Sequence, residues 1–568
     1  EWEVAGLFCE GDPDWLNRQI ELYGECYEKL KQHDADFPQT SQLKASVGAS
    51  EVDRLVALLL AQREERLHLL GWSGSETIAK AVAKIEKLHA DKVAAVSKNT
   101  RIHLVGEPGQ EIFDVAKRWS KLEILMSKVQ TAALDEGWKE TVPENSRGTL
   151  KAGWMYQHIL EGHGPLCSSY EAHGDHETGF EPGDFFAEPA SLTFLHLLPN
   201  GLGSSVHPTF GGWGGRFEKV PGYENLWKDA ADDGDVHKPV WRWLTHIQGD
   251  WSVRADWCVR DYSAANHGPV PVINGRGGGT VLGMKAQVGD VIQLDASATT
   301  DPDAQRVAKA WWYYAAPSTY DDPVDVNRSM VDKLNFKVPF DTKPRTHHIM
   351  LTVRDGGIPA MFAYRRIVVQ AAAGEDTTRP SKGPVLSGKT LSPSRISLSW
   401  TTPEDPESGI RRYQLFRDGK VLKELTELRF VDDSLTEATT ASYHVVALNG
   451  ALLESPKSNV ITLKTPGDET APLMINVKVA SAGLTLTFDE LLAKNSAEMT
   501  SNYGLTGEAK VLSAKLGEDA KTVTLTTSPL PLNREPCLLT VMGVQDRAET
   551  PNAVDLGTSY LFLHSEEE

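Results

Sequence analysis

Leu67-His-Leu-Leu-Gly-Trp72 runs directly into Ser73-Gly-Ser-Glu76-Thr77-Ile78-Ala79, and Val82 and Ile85 continue the apolar set at helical spacing. The apolar run reads as a strand, and Ser73 with Glu76 three residues on reads as a capping box that opens a helix. A strand feeding a capped amphipathic helix is half of a βαβ unit. The same alternation extends both ways. Val4 to Phe8 reads as a strand, followed by Asp12 as N-cap and Pro13 in the first turn of a helix with Ile20, Tyr23, Tyr27 and Leu30 on one face. Val52, Leu55, Val56, Leu59 and Leu60 mark another helix, and Arg101 to Gly106 and Lys121 to Ser127 are strands with a helix between them. Alternating units of this kind predict a mostly parallel sheet covered on both faces, with Val4–Phe8, Leu67–Trp72 and Arg101–Val105 as neighbours.

From Gly148 to His267 the rhythm breaks into long loops rich in glycine and aromatic residues, around one apolar run, Leu192 to Leu198, read as a strand. After Pro269 the helical period largely disappears. Val291–Leu294, Ala310–Tyr314, His348–Val353 and Arg365–Val369 read as strands of a first β module, Ile396–Trp400, Tyr413–Arg417 and Ser442–Ala447 of a second, and Leu484–Phe488, Thr522–Thr526 and Leu538–Val544 of a third. A hairpin turn is expected at Arg417-Asp-Gly-Lys420. The expected fold is multidomain: an α/β domain over 1–267, then three all-β sandwiches over 268–373, 379–466 and 470–565, of which the second resembles a fibronectin type III domain and the others resemble Ig-like domains. A chain of 568 residues suits about three to five such units.

The 78 acidic residues outnumber 58 basic ones, a formal charge of -20, which disfavours a polyanion such as nucleic acid and suits a neutral glycan. No apolar run is long enough to span a membrane. The five cysteines form no CxxC pair, so zinc and thioredoxin-like chemistry are not expected. Buried free thiols are the expected state, with one disulfide among the first four as the alternative.

Candidate chemistry gathers in the loop-rich region. Gly211-Gly-Trp-Gly-Gly-Arg216 supplies glycines for tight turns, Trp213 as a flat face for a sugar ring, and Arg216 as a forked donor. Trp154, Trp241 and Trp243 are further candidates for that face, and filling of the core is the competing role, above all for Trp241 and Trp257. Asn200 follows the apolar run where a strand would emerge, and with Trp213 and Arg216 it is expected at the rim of the main pocket, at the carboxyl ends of the strands. His207, Asp232, Asp233 and His237 are polar groups of the same region that offer a metal or an acid–base site, with Asp232 and His237 as candidate catalytic residues. In the first β module Asp295, Asp301, Asp303 and Asp355 offer carboxylates to Ca2+, Asx-turns being the commoner role.

Several of these segments occur in one order: Leu198-Pro-Asn-Gly-Leu202, His207-Pro208, Gly211 to Phe217, Asp232-Asp233 with His237, Trp241-Arg-Trp243 and Asp256-Trp-Cys-Val259. This resembles the bacterial cellulose-binding proteins whose N-terminal domain is nucleoside-hydrolase-like. Gly71-Trp-Ser-Gly-Ser-Glu-Thr-Ile-Ala79 is similar to that family's Trp-Gly-Gly-Thr-Asn-Thr-Leu-Ala segment, which brings Trp72 and Thr77 among the ligand-binding candidates. Asp295-Ala-Ser, Asp301-Pro-Asp303, Trp311-Trp312, Val338-Pro339, His348-Ile349 and Tyr364-Arg-Arg366 resemble its Ig-like C-terminal domain, and the last module looks like a surface-layer-type Ig domain.

The resemblance implies a glycan-associated protein, secreted, periplasmic or at the cell surface, that binds a polysaccharide such as cellulose. The alternative it implies is a Ca2+-dependent hydrolase of glycosidic or N-glycosidic bonds. Nucleoside hydrolases hold Ca2+ on aspartates after their first strand; Glu3 to Phe8 resembles the second strand, so that strand is expected upstream of Glu1, and Asp12 in Cys9-Glu-Gly-Asp-Pro-Asp14 is a helix cap. Where the family tends to carry Gln-Asp-Asp, this chain has Gly106-Glu-Pro-Gly-Gln-Glu111, leaving Glu107 and Glu111 as candidate catalytic carboxylates or as a turn and an acidic first helical turn. Poor or absent nucleoside hydrolysis is therefore expected.

Overall fold

The structure, a computed structural model, describes residues 7–9, 13–49, 52–72, 75–170, 180–185, 188–326, 328–480, 483–530, 536–548, 550–555 and 557–562. The caps read at Asp12 and Ser73 lie outside these residues. In chain order the α/β domain contains strands β1 (Leu7–Cys9), β2 (Val47–Ala49), β3 (Leu67–Gly71), β4 (Thr100–Val105), β5 (Glu123–Ser127), β6 (Phe217–Lys219) and β7 (Leu226–Asp229). Helices α1 (Pro13–His33), α2 (Thr40–Ser46), α3 (Val52–Leu60), α4 (Ser75–Leu88), α5 (Val93–Asn99) and α6 (Gln110–Arg118) fall between the first five strands.

The main sheet has the order β3-β4-β5-β7-β6, parallel except for the β6/β7 pair. Strand β5 carries apolar residues toward both faces, as a sheet covered on two sides requires, while β4 turns Ile102 and Leu104 to one face and Arg101 and His103 to the other. Ile102, Leu104, Ile124 and Leu226 pack in one cluster with Ile78, Val82 and Ile85 of α4 and Ile112 and Val115 of α6. Each such side chain contributes ~1.5–3 kcal/mol by leaving water.

Three sequence expectations are corrected here. Strand β1 does not neighbour β3; it pairs in parallel with β2, Leu7 opposite Val47, in a separate two-stranded ladder. Three residues centred on Gly48 carry no alternation to reveal β2. The run Leu192–Leu198 is not a strand: Ser191–Leu195 is a helix that buries Leu192, Leu195 and His196 at helical spacing and leaves Phe194 outside. Short apolar runs do not distinguish the two states. Leu244–Trp257, read as loop, is a helix buried on nearly all sides, so its sequence shows no one-sided stripe.

The chain divides into two compact units, Glu1–Gly374 and Glu375–Glu568. The first contains the α/β domain and the first sandwich, whose larger sheet orders Arg328–Ser329, Ala308–Tyr313, Arg345–Arg354, Phe362–Ala371 and Leu282–Ala286. Arg366 stitches the two parts together: fully buried, it donates to the carbonyls of Leu202, Phe210 and Gly211 and meets His348 Nδ1 at 2.9 Å. Burial pulls its guanidinium down to about 9. Gly201 sits at φ +93° with Tyr364 O 1.8 Å from where a Cβ would be, so only glycine allows this approach.

The second unit holds two sandwiches. The first of them has the three-plus-four strand arrangement of fibronectin type III domains, 386–392, 395–400 and 429–432 against 420–425, 410–417, 440–449 and 461–464. Its expected hairpin is present, with Asp418 at φ 51° and Gly419 at φ 77°. The last sandwich sets a four-stranded sheet against a three-stranded one around Leu486, Val523, Leu525 and Leu539. Among the described residues no helix is long and apolar enough to cross a membrane.

Candidate functional site

The carboxyl ends of β3, β4 and β5 lie side by side, so the residues that follow them form one edge. After β3 comes Trp72, 60% exposed, its indole N–H donating to Thr193 Oγ1 at 3.0 Å. After β4, Gly106 at φ +82° turns the chain toward Glu107 and α6. After β5, Lys128 pairs with Glu107, both exposed. Glu111, in the first turn of α6, accepts from Ser75 Oγ at 3.1 Å.

Asp229, at the end of β7, closes this edge. One carboxylate oxygen accepts the backbone N–H groups of Lys128, Val129 and Gln130 at 2.8, 2.6 and 3.1 Å. The other is buried without a partner, and burial holds the carboxyl above its ordinary value against those three donors. Sequence reading missed Asp229 because its strand, Leu226–Asp229, is four residues inside a region read as loops. Just beneath, His103 is buried with Nε2 2.8 Å from Ser127 Oγ, and His196 is buried with both ring nitrogens unpartnered. Desolvation keeps both neutral, His103 at about 3 and His196 well below its usual value.

The sequence-derived candidates separate into groups. Trp72, Glu107 and Glu111 stay at the carboxyl edge, with Thr77 half-buried in α4. Trp213 and Arg216 do not form a pocket rim. Trp213 is 2% exposed in the core and donates to Tyr364 Oη at 3.2 Å. Arg216 and Asp232 form a buried ion pair, Nε to Oδ1 2.7 Å; Arg242 and the Tyr314 hydroxyl reach Oδ2 at 2.9 and 2.7 Å. The glycines around Trp213 serve close packing: a Cβ on Gly214 would lie 2.3 Å from Leu192 O. Asn200 belongs to the same joint, its carbonyl accepting from Tyr364 N at 2.9 Å. Trp243 is likewise core, Trp154 stacks on His158, and Trp241 donates to Asp235 at 2.8 Å. His237 lies beside Asp235, and His207 is exposed against Thr209 and the Trp227 ring.

In the first sandwich, Asp295 accepts from Ser297 and pairs with Lys333 as an Asx-turn residue. Asp303 receives His267 N and Nδ1 at 2.7 and 3.0 Å, and Asp355 receives Asn266, Gly357 and Met361. Asp301 Oδ2 and Gln305 Oε1 are the buried oxygens without partners at this corner, whereas calcium takes about six to eight ligands. Asp468, just before the last sandwich, and Glu490 and Asp546 within it, not singled out from sequence because they are far apart along the chain, bring carboxylate oxygens within 4.8 Å of one another. Their mutual repulsion adds to burial in pushing Glu490 up to about 7.

Fold and edge together define a nucleoside-hydrolase-like α/β domain carrying β-sandwich modules. Residues 8–217 match the family model described as the cellulose-binding Sde182 nucleoside hydrolase-like domain, and residues 291–371 match that of the cellulose-binding protein Sde0182 C-terminal domain. Over these two segments the chain belongs to that cellulose-binding family. A solved structure described as a nucleoside hydrolase-related hypothetical protein from Saccharophagus degradans, associated with carbohydrate metabolism, shares the fold at 24% identity and TM-score 0.54, covering 65% of this chain and 92% of that one. Exoglucanase B of Cellulomonas fimi is 26% identical over 167 residues, 26% of this chain and 15% of that enzyme. Chitinase C of Streptomyces lividans is 28% identical over 88 residues, 16% of this chain and 14% of that enzyme. The chain thus spans only a small part of the length of these curated relatives.

Proposed function

We propose that the chain is an extracytoplasmic protein that binds a polysaccharide such as cellulose, with the carboxyl edge of the α/β domain as its principal contact and the sandwich modules contributing further surface. The observation that carries this reading is Trp72: a large indole held 60% exposed at the edge where parallel sheets bind ligands, and fixed in orientation by its bond to Thr193. An apolar face so exposed, with Glu107, Lys128 and Glu111 beside it to meet hydroxyl groups, suits a pyranose ring. The family description and the names of the carbohydrate-active relatives support the same ligand class. Engagement of Glu107 by Lys128 and of Glu111 by Ser75 favours a binding role for this edge over acid–base catalysis. Titrating cello-oligosaccharides into the full chain tests it. Trp72→Ala should weaken binding by about 1–3 kcal/mol with an unchanged melting temperature. Equal affinities of wild type and variant would remove Trp72 from the site.

A further inference from the structure

Three of the five cysteines are gathered at one point of the core: Cys26 on α1, Cys167 in the helix Gly164–Ser168, and Cys258 directly after the helix Leu244–Trp257. They are 1%, 9% and 7% exposed and belong to one apolar cluster. Cys258 is the shared member, its thiol near enough to interact with both Cys26 and Cys167, while its own S–H donates to Arg254 O at 3.7 Å. Gly164 stands beside two of them: a Cβ there would lie 3.5 Å from Cys26 Sγ and 3.9 Å from Cys258 Cβ, and its φ of +87° is one that glycine adopts freely. Cys537 is in the other unit, beside Thr506, and the Cys9 side chain lies outside the described residues.

We propose that this cluster is a disulfide site: Cys258 bonds to Cys167 when the chain meets an external disulfide oxidant, and Cys26 is the third thiol able to take over the bond. The two thiols lose two protons and two electrons as the S–S bond forms, and the external disulfide is reduced to two thiols. The neighbouring Cys258 thiol holds the Cys167 thiol below its ordinary value, so Cys167 is the first to attack, and Cys258 then displaces the leaving thiol from the mixed disulfide. Burial pushes Cys26 up to about 11, which keeps it a spectator while Cys167 is present. A crosslink here ties α1, or the short helix Gly164–Ser168, to the end of the long buried helix, a use that suits a protein working in an oxidising compartment.

The site is independent of the polysaccharide reading, and its test uses no glycan. The folded full chain is incubated with oxidised glutathione, its remaining thiols are alkylated under denaturing conditions, and peptides are mapped by mass. Alkylatable thiols should fall from five to three, with one linked peptide pair, Cys167 to Cys258. The melting transition of the first unit should move up and return with dithiothreitol. Cys167→Ser should shift the link to Cys26–Cys258, and Cys258→Ser should leave no link within the trio. Five free thiols in a chain that remains folded, a glutathione adduct that goes no further, or a linked pair lacking Cys258 would each overturn the proposal.

Discussion

Replacing Asp232 by alanine should unfold the first unit far more easily than its place in a loop suggests. The carboxylate is 1% exposed and holds Arg216, Arg242 and the Tyr314 hydroxyl at 2.7, 2.9 and 2.7 Å. Arg216 has 10% of its side chain exposed, so it cannot recover solvent when its partner goes, whereas Arg242 keeps the faces of Trp243, Trp312 and Tyr314 at 5.1, 5.0 and 4.7 Å. Stranding a buried charge costs ~3–5 kcal/mol, a large share of the ~5–15 kcal/mol that holds a domain together. Of 15 tryptophans only Trp400 follows Gly374, so tryptophan fluorescence in a urea titration reports the first unit. Asp232→Ala should lower its midpoint by that amount of free energy, and adding Arg216→Met should restore part of it, because the stranded charge is then gone. A loss below ~1 kcal/mol in the single variant, at unchanged slope, would refute the view of this network as the joint between domain and sandwich.

Trp213→Ala should cost about 3–5 kcal/mol in the same titration, as for a core tryptophan, and an unchanged midpoint would contradict its burial. His103 is held at about 3 and His196 is also held well below its usual value, so the unfolded chain takes up protons first; stability present above pH 6.5 is lost as pH falls toward 3. His103→Leu should flatten that acid limb of the midpoint curve, and an unaltered limb would assign the loss to other groups. Glu490 is raised from 4.5 to about 7, so its contribution is present below pH 4.5 and is lost as pH rises through 7. The melting temperature of the second unit should fall across that window, and Glu490→Gln should remove the fall; a variant with the wild-type profile would clear Glu490 of the effect.

The parallel sheet was legible because β3 to α6 repeats strand and amphipathic helix with a one-sided stripe, which survives in sequence. The sandwiches were legible through alternation and through Asp418-Gly419, whose positive φ angles fit a two-residue hairpin. Leu244–Trp257 was not, since a helix buried on nearly all sides has no continuous polar face to set its period. Trp213 and Arg216 were misplaced for a related reason. A glycine-rich loop that presents an indole to a ligand and one that threads an indole into a tight core use the same residues; Gly214 against Leu192 O and Trp213 on Tyr364 are contacts over long sequence separation. Trp72 was recovered through its motif, while its exposure and its bond to Thr193 came only from the fold.

The central claim is polysaccharide binding at the α/β edge, and partition of the full chain between solution and insoluble polysaccharide tests it most directly. Microcrystalline cellulose, chitin and an uncharged bead matrix, each incubated with wild type and with Trp72→Ala, give the comparison. The account predicts saturable retention of wild type on at least one of the two polysaccharides, at least about fivefold weaker for the variant, and none on the bead matrix. Retention absent from both polysaccharides, or equal for the two proteins, would contradict it.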